Sequence, residues 1–503
     1  MNRQIRLLGA GLMALFIGLF VQLNYLQIVH ANALNTNPLN GEAVVKEYTA
    51  QRGNIISADG VTLASSTPTK DQFKYLRSYP TGSLFAQITG YFSFTYGSDG
   101  AERTYDKILT GKKSPFRLPT SIQGIKSLLT NNNVSQSITL TVLDRLQKVA
   151  QSELTGRLGS VVALNPKTGA ILAMYSNPTF DPNQLASHNL TQVAADYKAI
   201  SHQTGGPLDP PAYRQTWFPG SSFKIITSAA VYDHNSALAN QVQPTLSALP
   251  LPQTTTQLHN FAGEVCGGNL LELFTVSCDT GFGQLGLTLG AQNLYDEANS
   301  FGFDQVPPLD LPFGAKSNFP SVASFKDNLP TLAYSAIGQE DVQASPLEMA
   351  LVAGGIANGG DIMAPHILDH VTNSQNQTVE TYSPSKWISA TSATTAASVT
   401  QLMEAVVNSP NGTGTAAAIP GITVAGKTGT AQTGTNLTDD WFVAFAPAQN
   451  PTIALAVVLP NQGASNDYTG GAVAAPIAKA MIEAYLGSAT SNGSTPSTVS
   501  PNG

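Results

Sequence analysis

A serine and a lysine three residues apart could act as a nucleophile and its base. Ser221 and Lys224 open the apolar segment 225–232, which the sequence predicts as a buried helix. Side chains three residues apart share one face of a helix. Burial and the positive end of the helix dipole would lower the pKa of Lys224, so that neutral lysine could take a proton from serine. The alternative is that Ser221 or Ser222 only caps the helix.

A second candidate is the triplet Ser277, Cys278 and Asp279, which lies between the apolar segments 270–276 and 282–289. In a cleft, the hydroxyl of Ser277 could relay a proton between reacting groups. The alternative makes Asp279 the N-cap of the second apolar helix. The triplet indicates a site only in combination with other motifs.

A third candidate is the run Lys427, Thr428, Gly429 and Thr430 on a predicted strand, residues 423–432. Lysine and threonine offer a charge and a hydroxyl to a carboxylate, and glycine lets a ligand approach the backbone closely. Residues 421–428 also match the phosphate-loop pattern G-x-x-x-x-G-K-[ST]. That loop must lead into a helix, whereas the β-branched residues here favour a strand, so the phosphate-binding interpretation is the weaker one.

The surrounding elements predict a domain of mixed helices and strands. A helix with Val142, Leu146, Val149 and Ala150 on one face ends at Gly156. Ser345 and Glu348 form a capping box that opens another helix, closed at 358–360, and a terminal helix covers 472–486. The last three of the predicted strands form an antiparallel meander; the strands are 160–164, 170–175, 423–432, 441–446 and 453–459.

The N-terminus predicts export. Arg3 and Arg6 precede the apolar stretch 7–29, which is long enough to span a bilayer as one helix. Positive charge before the span places residues 1–6 in the cytoplasm and the bulk of the chain outside. The alternative is a cleaved signal peptide with its small-residue site at 31–33. Both interpretations export the protein, and the length of the apolar stretch favours a retained anchor.

Composition narrows the classes of function. A chain of 503 residues exceeds one compact domain. Its net charge is −7 and it carries no basic stripe, which argues against nucleic acid as a partner. No motif predicts a metal or a cofactor, and His366 and His370, in a predicted strand-and-loop region, are interpreted as structural. The last residues, 488–503, are rich in Ser, Thr, Pro and Asn and are predicted to be disordered.

The chain has two cysteines, Cys266 and Cys278. An exported protein meets an oxidising environment, so the pair could form a disulfide beside the Ser277 triplet. The alternative is that Cys278 is a small buried residue with a free thiol. The sequence leaves this choice open.

The order of the three motifs resembles that of the penicillin-recognising serine enzymes. Nearly the whole chain is similar to the class B penicillin-binding proteins of the actinobacterial elongation or division type. That resemblance implies an α+β fold, with a transpeptidase domain of antiparallel sheet and helices at 138–487. A non-catalytic pedestal domain at 30–137 precedes it. Further segments resemble family motifs: Arg52–Ile56 with Asp59–Gly60, Arg77–Tyr91, Gly100–Glu102, Met363–His366 and Asp440–Phe442.

The resemblance also implies a role for each motif residue. Ser221 would attack the carbonyl between two D-alanines of a peptidoglycan stem peptide, with Lys224 as general base. Ser277 would relay a proton to the leaving D-alanine, and an amine of an acceptor stem would then take the acyl group. The substrate carboxylate and oxyanion would be held by the third motif: Lys427, Thr428, Gly429 and Thr430, together with the backbone N–H of Ser221.

One position departs from the family pattern, which usually has asparagine where this chain has Asp279. The resemblance implies β-lactam antibiotics as inhibitors and a membrane glycosyltransferase as partner. Two rival classes stay open: a D,D-carboxypeptidase or β-lactamase that uses water as acceptor, and a non-catalytic β-lactam sensor or cell-wall scaffold. The large pedestal argues against the first class, and the retained motif residues argue against the second.

Overall fold

The computed structural model describes residues 2–26, 48–111, 135–434, 436–463 and 468–491. The possible cleavage site at 31–33 and the tail residues 492–503 lie outside this part of the chain. An apolar helix, Asn2–Asn24, is long enough to cross a membrane by length and composition. It therefore begins before the predicted span, and residues 27–29 of that span lie outside the described residues.

A five-stranded antiparallel sheet forms the centre of the C-terminal half. Its order is Ala425–Gln432, Leu437–Ala446, Ile453–Gly463, Gly159–Leu164 and Ile171–Asn177. The predicted meander and the α+β fold are confirmed. The second strand begins four residues before its predicted start. The first residues that pair with the neighbouring strand include Thr438, Asp439 and Asp440, which are polar and therefore do not show the apolar pattern of a strand.

Helices cover this sheet. Pro346–Ala357 is apolar on all sides because it is buried almost completely against strands Ile453–Gly463 and Gly159–Leu164. The other α-helices after residue 140 are Asp144–Glu153, Pro182–Ala186, Leu190–Ser201, Pro211–Arg214, Lys224–Asn235, Leu270–Thr275, Asp279–Leu289, Ala291–Ser300, Leu329–Ser335, Ala393–Asn408 and Ala475–Ser491. Short antiparallel pairs complete this half: Gln243–Leu246 with Cys266–Gly268, Ala248–Pro250 with Gln257–His259, and Asp361–Met363 with Lys386–Ser389.

Two predicted helix boundaries are wrong. The helix Asp144–Glu153 starts after Val142, which is buried but lies before the first turn. The terminal helix begins at Ala475 after a π-helical turn, Gly470–Ala474, and continues to Ser491 rather than ending at 486. Its last residues are small and polar, which makes them look like a linker in the sequence. Pro476 is tolerated because a proline in the first turn removes no helical hydrogen bond.

Only one of the two hydrogen bonds of the predicted capping box at Ser345 is formed. Ser345 Oγ accepts a hydrogen bond from the Glu348 backbone N–H (3.1 Å), as predicted. The Ser345 backbone N–H donates to Ser317 Oγ (3.2 Å) instead of to Glu348. The Glu348 carboxyl is fully buried, and neither oxygen has a hydrogen-bond partner within the described part of the chain. Burial raises the pKa of Glu348 to about 8.

We expect Glu348 to make the protein less stable as the pH rises. A carboxyl whose folded pKa exceeds its unfolded value stabilises the fold below the unfolded pKa, 4.5, and that contribution is lost as pH rises towards about 8. The limiting slope is about 1.4 kcal/mol per pH unit. Glu348→Gln should flatten the fall in unfolding free energy between these values, measured by urea denaturation. Equal slopes for both proteins would contradict this assignment.

A six-stranded sheet unites the N-terminal half with two later strands. Its order is Thr378–Thr381, Leu368–Thr372, Ser137–Leu140, Ile55–Ile56, Thr62–Pro68 and Tyr75–Ser78. The remaining N-terminal elements are short helices, Ala86–Thr89, Gly100–Thr104 and Asp106–Leu109, and the strand pair Phe92–Ser93 with Gly97–Ser98. The sheet therefore crosses the boundary predicted between the pedestal and the transpeptidase domain at residues 137 and 138.

The three N-terminal motifs found in the sequence meet in one buried ion cluster. Glu102 accepts a hydrogen bond from Arg52 Nε (2.9 Å) and another from Arg77 Nε (2.6 Å). Arg77 also donates to the Gly53 carbonyl (2.8 Å). A Cβ at Gly53 would lie 1.8 Å from the Gln136 carbonyl oxygen, so only glycine fits there. Removing one member would leave buried charges unpaired, which makes this cluster structural.

Several polar contacts tie the N-terminal half to the C-terminal half. Arg214 forms a two-pronged ion pair with Asp99, at 2.9 and 2.7 Å. Tyr105 donates to Asp310, whose carboxylate also accepts from the backbone N–H groups of Ile367 (2.7 Å) and Leu368 (3.0 Å). A contiguous hydrophobic core extends through both halves.

Candidate active site

Ser221 lies on a tight 3₁₀ turn, Gly220–Phe223, that leads directly into the helix Lys224–Asn235. Gly220 has a φ of +52°, and a Cβ there would lie 2.9 Å from Ala431 Cβ, so the turn sits directly against the third-motif strand. The simple capping interpretation is wrong, because neither serine side chain caps the helix. Ser222 Oγ donates to the Pro219 carbonyl (2.7 Å), whereas Ser221 Oγ points towards Asp279.

Lys224 is fully buried and joins the first two motifs. Its Nζ donates to Asp279 Oδ1 (2.6 Å), the Ser277 carbonyl (2.8 Å) and Ser277 Oγ (3.3 Å). Burial lowers the pKa of Lys224, while the charge of Asp279 and its hydrogen bond act in the opposite direction. The protonation state of this lysine therefore depends directly on the charge of residue 279.

The second motif is held in the cleft by backbone geometry. Ser277 has a φ of +59°, a left-handed conformation that few non-glycine residues adopt, between two helices. The alternative that Asp279 is the N-cap is wrong, since Cys278 occupies that position and Asp279 is the first helical residue. Asn260 Oδ1 accepts from the Thr280 backbone N–H (2.9 Å) and so satisfies the helix terminus from outside. The Asp279 carboxylate is thereby free to contact Lys224 and lies 3.4 Å from Ser221 Oγ.

Lys427 closes the ring of polar groups from the third motif. Its Nζ donates to Ser277 Oγ (2.8 Å) and the Thr428 carbonyl (3.0 Å). Burial is the main cause that lowers the pKa of Lys427 well below its usual value, followed by the charge of Lys224, with Asp279 opposing both. Thr428 Oγ1 is hydrogen-bonded to Thr413 Oγ1 (2.7 Å).

The phosphate-loop interpretation of 421–428 is wrong. Every residue from Ala425 to Gln432 pairs with the neighbouring strand, and no helix follows Thr428. Gly429 is required for another reason: a Cβ there would lie 2.7 Å from the Pro219 carbonyl oxygen, against the Ser221 turn. Thr430 Oγ1 accepts a hydrogen bond from the Gly470 backbone N–H (3.1 Å).

The motif residues line a cleft of about 440 Å³, into which Ser221, Ser277, Asp279, Thr428 and Thr430 all project. Sequence reasoning missed other lining residues, among them Asn260, Tyr334, Gln339 and Thr413. In the orientation that satisfies both of its polar atoms, the Gln339 amide donates to the Gln432 carbonyl (3.3 Å) and accepts from its N–H (3.0 Å). These residues belong to no motif with an obvious mechanism, so their position became visible only in the fold.

A disulfide joins Cys266 to Cys278 (Cα–Cα 5.9 Å). It connects the strand Cys266–Gly268 to the first residue before the helix Asp279–Leu289. Both cysteines line the cleft, so the cross-link holds the residues on either side of Cys278, which are Ser277 and Asp279.

Thiol titration of the denatured, unreduced protein should find no free thiol. A loop of this length contributes about 3 kcal/mol in the chain-entropy model, so Cys266→Ser with Cys278→Ser should lower the unfolding free energy by about that amount. Reduced wild type is the matched control and should lose a similar amount. Two free thiols in the unreduced protein would rule out the cross-link.

The predicted structural histidines lie away from this cleft. His366 stacks on Tyr382 (ring centroids 3.9 Å apart), and His370 lies on the strand Leu368–Thr372 beside Asp369. Within the described ranges, no group of three or more His, Cys, Asp or Glu side chains could hold a metal ion.

Family comparisons agree with this geometry. Residues 159–483 match the penicillin-binding protein transpeptidase domain, and residues 52–135 match the penicillin-binding protein A dimerisation domain. The chain therefore belongs to the penicillin-binding protein transpeptidase family. Its fold is that of the transpeptidase domain of this family, whose members are serine-type acyltransferases.

Relatives that align over nearly the whole chain are peptidoglycan D,D-transpeptidases by name. The chain is 37% identical to the peptidoglycan D,D-transpeptidase PbpA of Mycolicibacterium smegmatis, over 97% of this chain and 99% of the relative. It is 36% identical to PbpA of Mycobacterium tuberculosis over the same shares. The ceftriaxone acyl-enzyme structure of penicillin-binding protein A from M. tuberculosis superposes with a TM-score of 0.79 at 35% identity, covering 88% of this chain and 100% of that one.

Proposed function

We propose that this protein is a peptidoglycan D,D-transpeptidase that works through an acyl-enzyme at Ser221. The observation that carries the proposal is the convergence of the three motifs: Ser277 is hydrogen-bonded to Lys224 and Lys427 at 2.8–3.3 Å, and Asp279 joins Lys224 (2.6 Å) to Ser221 Oγ (3.4 Å). Two relatives of the same length are D,D-transpeptidases by name, which favours transpeptidation over a carboxypeptidase, a β-lactamase or a non-catalytic scaffold.

Each side chain receives one role in the first half-reaction. Neutral Lys224 takes the proton of Ser221 Oγ as it attacks the carbonyl between the two D-alanines of the donor stem. Backbone N–H groups of Ser221 and Thr430 stabilise the oxyanion, a kind of contribution that is worth about 2.7–4 kcal/mol per donor elsewhere. Ser277, between the two lysines, passes a proton to the amine of the departing D-alanine.

The carboxylate of the terminal D-alanine is assigned to the third motif. Thr428 lines the cleft beside Thr413, and Lys427 Nζ lies 3.5 Å from Thr428 Oγ1. The amine of Lys427 and the hydroxyl of Thr428 both donate hydrogen bonds to this carboxylate. Gly429 keeps the strand flat against the Ser221 turn, so the substrate backbone can run alongside.

The helix Asn2–Asn24 is assigned as a single retained membrane anchor, which leaves the catalytic half outside the cytoplasm. We assign residues 30–137 to the pedestal and 138–487 to the transpeptidase domain. A membrane glycosyltransferase supplies the glycan strands whose stem peptides are joined. β-Lactams inhibit the protein because they resemble the D-alanyl-D-alanine amide.

Peptide mapping after incubation with penicillin tests the assignment. One penicilloyl group is expected, on the peptide that contains Ser221. With a stem pentapeptide and an acceptor stem, the product should be a cross-linked dimer with release of one D-alanine per bond. An adduct on any other residue, or release of D-alanine without dimer at high acceptor concentration, would contradict the proposal.

A further inference from the structure

A second groove adjoins the catalytic cleft. Glu264, Cys266 and Val276 line both spaces, so the groove opens directly from the cleft. Its floor carries two apolar side chains that are unusually exposed, Val265 (65%) and Leu271 (45%). Its far wall is the end of the helix Ala393–Asn408 and the loop that follows, including Ala405, Ser409, Pro410 and Asn411.

The groove lies at one defined end of the cleft. Thr413 is hydrogen-bonded to Thr428 (2.7 Å), and its backbone N–H donates to the Thr275 carbonyl (3.4 Å). Thr275 is itself a groove residue. Gln432, which is hydrogen-bonded to Gln339, lies four residues beyond Thr428 at the end of the strand Ala425–Gln432. The groove is therefore on the side of Thr428.

This position decides which substrate group can reach it. In the proposed function, on which the inference rests, Lys427 and Thr428 bind the carboxylate of the leaving D-alanine. The donor stem then extends towards Gln339, and the leaving group lies towards the groove. Formation of the new peptide bond passes through the same kind of tetrahedral intermediate in reverse, so the attacking amine must enter on the side that D-alanine vacates.

We propose that the groove lined by Glu264, Val265 and Leu271 binds the acceptor: a stem peptide whose third residue carries a side-chain amine. The amine attacks the acyl carbon, a C–N bond forms, and the bond from that carbon to Ser221 Oγ breaks. The proton lost by the nitrogen passes to Ser277 and Lys224 and from there to Ser221 Oγ. The exposed apolar side chains take the peptide, and Glu264, at the boundary of the two spaces, attracts the cationic amine before it is deprotonated.

The charge of the groove fits this occupant. Glu264 and Glu272 are the charged residues that line it, and both are acidic. Glu272 is engaged in the capping box of the helix Leu270–Thr275, where its carboxylate accepts from the Asn269 N–H (2.8 Å). The Glu264 side chain has no hydrogen-bond or ion-pair partner among the residues that the structure describes. An exposed carboxylate next to an apolar surface is complementary to a side chain that carries one cationic amine on an apolar stem.

The test separates the acceptor step from acylation. Val265→Lys and Leu271→Lys place a positive charge in the groove, and neither residue lines the catalytic cleft. The matched control is Val379→Lys, an equally exposed residue on the strand Thr378–Thr381 of the other sheet. Three rates are measured with the full chain: penicillin acylation, exchange of labelled D-alanine into a stem pentapeptide, and cross-linking of that donor to a tripeptide with a diamino acid at its third position.

Cross-linking to the tripeptide should fall about five- to tenfold in both groove variants, because a like charge replaces a neutral surface. Penicillin acylation and D-alanine exchange should stay at the wild-type level, and Val379→Lys should keep all three. Unchanged cross-linking in both groove variants, or a parallel fall in all three rates, would overturn the acceptor site. Absence of both adduct and exchange in wild type would instead overturn the proposed function.

Discussion

Ser221→Ala should abolish the covalent penicillin adduct, as measured by intact mass. Its Oγ is the nucleophile in the proposed mechanism, and no other group in the cleft can replace it in that position. Ser222→Ala is the matched control: that serine lies on the same turn, but its hydroxyl is bound to the Pro219 carbonyl and is buried. The control should acylate at close to the wild-type rate.

Lys224→Ala separates the nucleophile from its base. The variant keeps Ser221 but loses the amine, so acylation should slow by about 10²–10⁴-fold, the usual contribution of a positioned general base. Circular dichroism should show that both Ser221→Ala and Lys224→Ala are folded. A normal penicillin adduct in Ser221→Ala would contradict the proposed mechanism. An unchanged acylation rate in Lys224→Ala would show that this lysine is not the general base.

Asp279→Asn should accelerate acylation, and most strongly at low pH. The aspartate lies 2.6 Å from Lys224 Nζ and stabilises the ammonium form, which cannot act as base. The amide has no charge, so the pKa of Lys224 should fall further. Since acylation requires the neutral amine, the rate rises as pH passes upward through that pKa, and the acid limb of the profile should move to a pH that is lower by about 1–3.

Penicillin acylation rates from pH 4 to 9 test this prediction. On the acid limb, a displacement by one pH unit gives the variant about a tenfold faster rate than wild type, and the two profiles should converge at high pH. Asp341→Asn, an exposed aspartate outside the cleft, is the control and should follow wild type. Parallel profiles for Asp279→Asn and wild type would mean that this carboxylate does not set the protonation state of Lys224.

The catalytic side chains could be predicted from the sequence because each lies in a short motif with its own mechanism. Ser221, Lys224, Ser277 and Lys427 are recognisable by order and spacing, and the structure brings all four together. The orientation of Asp279 could not be decided in the same way. It depends on Asn260, which is 20 residues away from Thr280 along the chain and supplies the hydrogen bond that a capping side chain at position 278 would otherwise provide.

The strands and helices were predictable where apolar periodicity marks them and unclear where burial involves polar residues. The strand Leu437–Ala446 begins with buried Thr438, Asp439 and Asp440, whose pattern does not read as a strand. Burial raises the pKa of Asp439 to about 6 and that of Asp440 to about 7. These polar residues are buried because neighbouring strands cover them, and the local sequence does not show which strands will be neighbours.

The six-stranded sheet limits how this chain can be shortened. Strand Ser137–Leu140 pairs with Ile55–Ile56 on one side and with Leu368–Thr372 on the other, so residues far apart in sequence must meet before the sheet exists. Such long-range closure slows folding. A fragment beginning at residue 138 would present an unpaired edge to solvent, which is a template for aggregation. Recombinant protein without the anchor should therefore retain the chain from Thr49 onwards, because a catalytic half produced alone would tend to self-associate.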